Sequence, residues 1–179
     1  MTTPSKAAGI HELDEDARLA LFVGEHYERL LGLARLICRD TSDAADAVQL
    51  GLEQAWRSRA SLRDEERLRP WLDRIVAREA VRVSKRSRSW LSRLLAPTPE
   101  VGWIEPADGL APEPATRAAL RAAYQTLSAE QRAVVALHMH SGYSIRQTAA
   151  IVGAPEETVR SRLRLAKERL RRELEEEAR

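Results

Sequence analysis

At 179 residues, with 31% of the side chains charged, the chain suits two small modules better than one large apolar core. Lys and Arg total 29 against 27 Asp and Glu, a formal net charge of +2, so attraction to a polyanion must come from uneven placement of charge. Cys38 is the single cysteine, which excludes an intramolecular disulfide and a cysteine-rich zinc site, and it reads as a buried core thiol. No stretch approaches the roughly 18 apolar residues needed to cross a bilayer, and residues 1–9 lack the apolar core of a targeting peptide. A cytoplasmic location is therefore expected. Aromatics are scarce at 4% and no β-branched run alternates, so the expected fold is all-α.

Residues 1–18 read as a flexible amino-terminal segment. From 19 to 38, Leu19, Phe22, Val23, Tyr27, Leu30, Leu31, Ala34, Ile37 and Cys38 recur at three- and four-residue steps and predict one helix with one buried stripe. A second helix is predicted from the cap-like Thr41 and Ser42 to about Ser58, with Asp43 and Asp46 near its positive end and Val48, Leu52 and Ala55 inward. The third is predicted over 65–86, with Leu68, Leu72, Ile75, Val76, Ala80 and Val83 inward and Pro70 tolerated near its start. These helices make a first module, 19–94.

Residues 95–115 change in texture. Pro97, Pro99, Pro106, Pro112 and Pro114 break every helical period, and Glu100, Glu105, Asp108 and Glu113 make the segment acidic. As an extended linker at ~3.3 Å per residue it would span about 70 to 80 Å, roughly two turns of duplex DNA. The second module, 116–179, reads as helices over 116–127, from Ser128, from Ser144 and over 156–176. Ser128 with Gln131 and Ser144 with Gln147 each have capping-box spacing.

Residues 144–163, SIRQTAAIVGAPEETVRSRL, carry the strongest signal. Ala149 is small where two helices cross, Gly153 follows where the chain turns, and Val159 faces back into the module, which is the spacing of a helix-turn-helix. Thr158, Arg160, Ser161, Arg162 and Arg164 then open the helix that would enter the major groove, where Arg forms paired hydrogen bonds to guanine. Lys167, Arg169, Arg171 and Arg172 would approach phosphates. The inward stripe Val159, Leu163, Ala166 and Leu170 runs one residue ahead of the basic stripe Arg160, Arg164, Lys167 and Arg171. A second basic region covers Arg74, Arg78, Arg82, Lys85, Arg86, Arg88 and Arg93, with Trp71 and Trp90 nearby. Its first four members share a helical face suited to a nucleic-acid backbone, and an aromatic ring there could stack on an unpaired base.

Across 19–174 these motifs occur in an order that resembles the extracytoplasmic-function (ECF) sigma factors of the sigma-70 family. DAADAVQLGLEQAWR, residues 43–57, resembles the family's D-A-E-D-L-V-Q-E-T-F-x-x-A-W helix, which binds core RNA polymerase. The resemblance implies polymerase contacts by Asp43, Asp46, Gln49, Leu50, Glu53, Trp56 and Arg57. PWLDRIVAREAVRVSKR, residues 70–86, is similar to the family's W-L-x-R-I-A-R-N helix, which melts and reads the downstream promoter element, and implies that role for Trp71, Arg74 and Arg78. Residues 127–174 are similar to the module that reads the upstream element. Core RNA polymerase, promoter DNA and an anti-sigma factor are the partners implied; no cofactor, metal or catalytic residue is expected.

The chain departs from the family pattern at several points. Leu50 replaces an acid, and its neighbours Asp46 and Glu53 predict an exposed Leu among polar residues. Ala45 replaces another acid. Glu79 stands where Asn is common in the base-reading segment and would repel phosphate if it pointed outward. Arg146 and Gln147 replace acids in the first helix of the turn motif, a change that favours phosphate contact. A helix-turn-helix regulator independent of polymerase is the alternative from composition and motif alone. A helical metal enzyme built on Asp43 and Asp46, or on His138 and His140, is disfavoured because Asp at a helix start is ordinary capping and His residues two apart on a helix face different ways. With near-zero net charge, the two modules are also able to fold together and hide their basic faces.

Overall fold

The computed structural model describes residues 15–61, 67–94 and 114–177, and every regular element among them is helical. The segment 1–14 and the bulk of the predicted linker, 95–113, lie outside the described residues. Helix α1 is Glu15–Ile37, α2 Thr41–Ser58 with a 3-10 turn Arg59–Ser61, α3 Leu68–Leu94, α4 Pro114–Thr126, α5 Ala129–Val135, α6 Ile145–Val152 and α7 Glu156–Glu177. A π-helical turn, Ala136–His140, follows α5.

Local chemistry sets these bounds. The cap of α2 is Asp40, one residue before the expected Thr41: its backbone is extended, and its carboxylate accepts from Ser42 N at 2.6 Å and Asp43 N at 3.2 Å. Both predicted capping boxes form, at Ser128 with Gln131 and at Ser144 with Gln147. Pro114, grouped above with the linker prolines, instead opens α4, where its missing N–H costs no helical bond. Helix α3 runs past the expected end at 86 to Leu94.

Helices α1, α2 and α3 pack through Leu30, Leu33, Ile37, Val48, Leu72 and Val76, all fully buried. Gly51 is what lets α2 approach α3. A β-carbon there would lie 3.0 Å from Val76 Cγ2 and 3.3 Å from Val76 Cα. Cys38 is buried with them; its thiol donates to Ala80 O at 3.5 Å and is pushed up to about 12 by burial and by Asp43, which keeps it protonated. In the second half, Val134 of α5, Ala149 of α6 and Val159 and Leu163 of α7 form a smaller cluster.

The composition suggested two separate small cores, but the main cluster runs through both halves. Ala133, Ala136, Leu137, Tyr143 and Ile151 pack into the core of α1 to α3. Polar contacts line this seam. Arg132 is 1% exposed and donates to Ile37 O at 2.7 Å, Leu127 O at 2.7 Å and Ser84 Oγ at 2.8 Å. Arg39 donates to Gln125 O at 2.7 Å, and Tyr143 donates its hydroxyl to Asp73 at 2.6 Å. Asp73 is fully buried and also accepts two bonds from Arg29, at 2.7 and 2.9 Å. Burial, then the bond to Asp73, holds the Tyr143 phenol well above its ordinary range, so it stays a donor. Lys85 and Glu130 close the seam as an ion pair.

Replacing Gly51 by Leu should overpack the α2 and α3 crossing and cost roughly 1 to 3 kcal/mol, measured by urea unfolding. Burial alone would raise the Glu130 carboxyl, but the hydrogen bond from Lys85, with further bonds and charge, brings it net below its ordinary 4.5. A lowered folded value means that the pair contributes stability above the unfolded value and loses it as pH falls through the lowered one. Glu130→Gln should therefore destabilise by no more than about 1 kcal/mol at neutral pH, with the difference vanishing in acid.

Candidate nucleic-acid interface

The turn motif is built as its spacing requires. Gly153 caps α6 in the left-handed region at φ 71°, and its N–H and that of Ala154 both donate to Ala149 O, at 2.9 and 3.1 Å. A side chain would be strained there. Ala149 is buried at the crossing, and Val159, Leu163 and Ala166 hold the inner side of α7. This fixes the outward direction of α7: Arg160, Arg164 and Lys167 are exposed, while Thr158, Ser161 and Arg162 are half-buried at the edge. Arg160 pairs with Glu156 at 3.0 Å and Arg164 with Glu168 at 2.9 Å. Exposed pairs four residues apart are worth only about 0.3 to 0.5 kcal/mol, so both guanidinium groups are readily exchanged to a phosphate or a base edge. Arg146 is exposed on the first turn of α6, whereas Gln147, also exposed, commits its side-chain oxygen to Ser144 N at 2.9 Å.

The basic face of α3 is more engaged than expected. Arg74, Arg78, Arg82, Lys85 and Arg86 are all exposed to some degree and Trp71 is half-buried against the core. Yet Arg78 donates to Ile151 O at 3.0 Å, Arg82 pairs with Glu79 at 2.6 Å, and Lys85 pairs with Glu130. Glu79 itself is buried at 8% exposure, so its charge is turned inward onto Arg82 and does not face an approaching phosphate. Arg88 lies on α3, but its side chain is outside the described residues, as are those of Trp90 and Arg93.

On α2, Asp46, Gln49, Leu50, Glu53, Trp56 and Arg57 are exposed at steps that share one face. Leu50 is 39% and Trp56 44% exposed, an apolar pair set among Asp46, Gln49 and Glu53. Arg57 pairs with Glu53 at 3.0 Å, and the Arg59 guanidinium lies 5.2 Å from the Trp56 ring centre. Asp43 is set apart from this group: it is half-buried and accepts from Ser87 Oγ of α3 at 2.7 Å. Burial raises its carboxyl above the ordinary value, against the Ser87 bond, with Asp40 and Asp46 adding to the rise. Among the described residues no cluster of three or more His, Cys, Asp or Glu is arranged to hold a metal ion, and His138 instead bonds the Tyr143 carbonyl through Nδ1 at 2.6 Å.

Arg132, Asp73, Tyr143 and Arg29 were not singled out from the sequence. A signal was present for the first: Ala129, Arg132, Ala133 and Ala136 fall at helical spacing on one inward side, which places an arginine where only a bonded one is tolerated.

Residues 22–91 match the family model of sigma-70 region 2, and residues 117–170 match that of sigma-70 region 4. The chain is 34% identical over 147 residues to the ECF RNA polymerase sigma factor SigM of two Mycobacterium tuberculosis strains, covering 82% of this chain and 72% of each relative. The fold resembles a sigma factor RpoE solved in complex with the anti-sigma factor NepR from Bartonella quintana, with TM-score 0.68 and 27% identity over 87% of this chain and 96% of that one. It also resembles CnrH in complex with the cytosolic domain of CnrY, with TM-score 0.59 and 21% identity over 94% of each chain. Among the described residues no helix is long and apolar enough to cross a membrane. Two region models in this order, together with the identity to SigM over most of both chains, place the protein in the ECF class of the sigma-70 family, the RNA polymerase sigma factors that direct transcription initiation.

Proposed function

We propose that this protein binds core RNA polymerase through the exposed face of α2 and directs it to promoters by reading two elements with two modules, 19–94 and 116–179. The observation that carries this reading is the outward face of α7, where Arg160, Arg164 and Lys167 stand exposed over an apolar core that fixes their direction. A helix so held presents its first turns to the edges of base pairs in the major groove. Arg146 on α6 is placed for the flanking phosphate. Trp71, Arg74, Arg78, Arg82, Lys85, Arg86 and Arg88 on α3 are assigned to the downstream element, with cations on the backbone and the Trp71 ring near an unpaired base.

On α2, Leu50 and Trp56 supply the apolar centre of the polymerase contact, and Asp46, Gln49, Glu53 and Arg57 its polar rim. The Ser87 bond gives Asp43 the supporting role of fixing α2 on α3. Polymerase carries out the nucleotide chemistry, and the chain acts without catalytic residues or a cofactor, in the cytoplasm. Control by an anti-sigma factor is part of this reading and is supported by the likeness to a sigma factor solved with one.

Added to purified core RNA polymerase, the protein should produce defined transcript starts from a genomic promoter library; absence of any specific start would refute the function. Asp46→Ala together with Gln49→Ala should weaken polymerase binding without altering duplex binding by the protein alone. Arg162→Ala or Arg164→Ala should weaken upstream-element binding by roughly 1 to 3 kcal/mol in a sequence-dependent way. Equal losses on every sequence would reassign them to phosphate.

A further inference from the structure

Helix α7 exposes an apolar side chain on a surface that is otherwise polar. Leu163 and Ala166 are buried and Leu170 is half-buried on the inner side, but Leu165 is 46% exposed, the one large hydrophobic so exposed among the described residues of α7. It cannot turn inward, because at about 3.6 residues per turn it falls well away from the buried side that Val159, Leu163 and Ala166 define. An isolated surface leucine is ordinary; its neighbours single this one out. Ser161 and Thr158 stand four and seven residues before it on the same face, and Arg169 and Arg172 four and seven after it. Arg164, Lys167, Arg169 and Arg172 are all exposed, so cations frame the apolar spot and the complementary occupant is a polyanion. The acids of these turns, Glu156, Glu157 and Glu168, are each paired with Arg160 or Arg164. Thr158 to Leu165 covers ~10 Å of helix axis, within the ~12 Å width of a major groove.

We propose that Leu165 is a specificity-determining residue that seats against the 5-methyl group of a thymine in the upstream element. This rests on the reading of α7 proposed above and names what one more of its side chains recognises. A leucine side chain has no donor or acceptor, so it gains nothing from a phosphate or from the polar edges of guanine, adenine and cytosine. Laid on those edges it would strip water from their ring and exocyclic groups without replacing the lost hydrogen bonds, which is a cost in itself. The thymine methyl is the apolar feature that the major groove presents. Leucine therefore discriminates in both directions, by apolar burial on thymine and by unpaired polar groups on the alternatives. The short hydroxyls of Thr158 and Ser161 suit the polar edges beside it and do not compete for the methyl.

Duplexes randomised over one helical turn are selected with the full chain, alone and bound to core RNA polymerase. The enriched sequence is then resynthesised with uracil in place of each thymine in turn; uracil pairs as thymine does and lacks only the methyl. The parent should bind roughly three- to five-fold more weakly when one particular thymine is replaced, as expected for the loss of one buried methyl group. Leu165→Ala, at an exposed site where alanine suits the helix, should lose a similar factor on the thymine duplex and be indifferent to uracil at that position. Leu165→Met, apolar and of similar size, should keep the uracil penalty. No enriched sequence, an enriched sequence without thymine or indifferent to uracil at every thymine, or an undiminished uracil penalty in Leu165→Ala would overturn the proposal. Failure of the sigma function reads differently: thymine dependence through Leu165 would persist in duplex binding by the free chain while no promoter-specific transcript formed.

Discussion

The arrangement of this molecule depends on a single buried guanidinium. Arg132 lies at 1% exposure between the two halves of the chain, and an unpaired ion there would be prohibitively costly. It is tolerated because of where its acceptors come from. Ile37 O ends α1 and Leu127 O follows the last residue of α4, so the guanidinium meets carbonyls that no helix can satisfy and that carry the negative end of each helix dipole. Ser84 Oγ on α3 takes a third bond. One side chain thereby closes two helix ends and ties both modules together. Arg39 does the same for Gln125 O in the last turn of α4.

Around that group the seam is apolar, filled by Leu137, Tyr143 and Ile151 together with small side chains such as Ala133, Ala136 and Ala80. The large side chains supply burial, the small ones allow close approach of backbones, and the directional polar bonds fix the register in which the modules meet. The bonds are directional enough to select one arrangement of the modules. The apolar pair Leu50 and Trp56 on α2 lies exposed, away from this seam.

Much of this was legible in the residues. The capping boxes at Ser128 and Ser144, the Ala149, Gly153 and Val159 spacing, the buried stripe of α7 and the exposure of Leu50 follow from local rules, because each is decided within two helical turns. The family followed from three motifs in order. What composition and periodicity did not supply were the long-range choices. Nothing local distinguishes Arg78 free in solvent from Arg78 bonded to Ile151, seventy-three positions away. Glu79 would repel a phosphate only if it pointed outward, and residue type alone does not decide that; in the fold it is buried and paired with Arg82. The cap of α2 fell on Asp40 because Asp reaches the first free amides as well as Thr or Ser does, and sequence alone did not rank them.

Equilibrium unfolding in urea, followed at once by tryptophan fluorescence and by far-ultraviolet circular dichroism, addresses the central claim most directly. Trp56, Trp71 and Trp90 lie within 19–94, Trp103 lies between the modules and no tryptophan occurs within 114–177, so in a Trp103→Phe background fluorescence reports the amino-terminal module while dichroism reports all the helices. If the Arg132 bonds join the modules into one cooperative unit, the two signals coincide in the parent and separate in Arg132→Met. Separate transitions in the parent, or coincident ones in Arg132→Met, would contradict it.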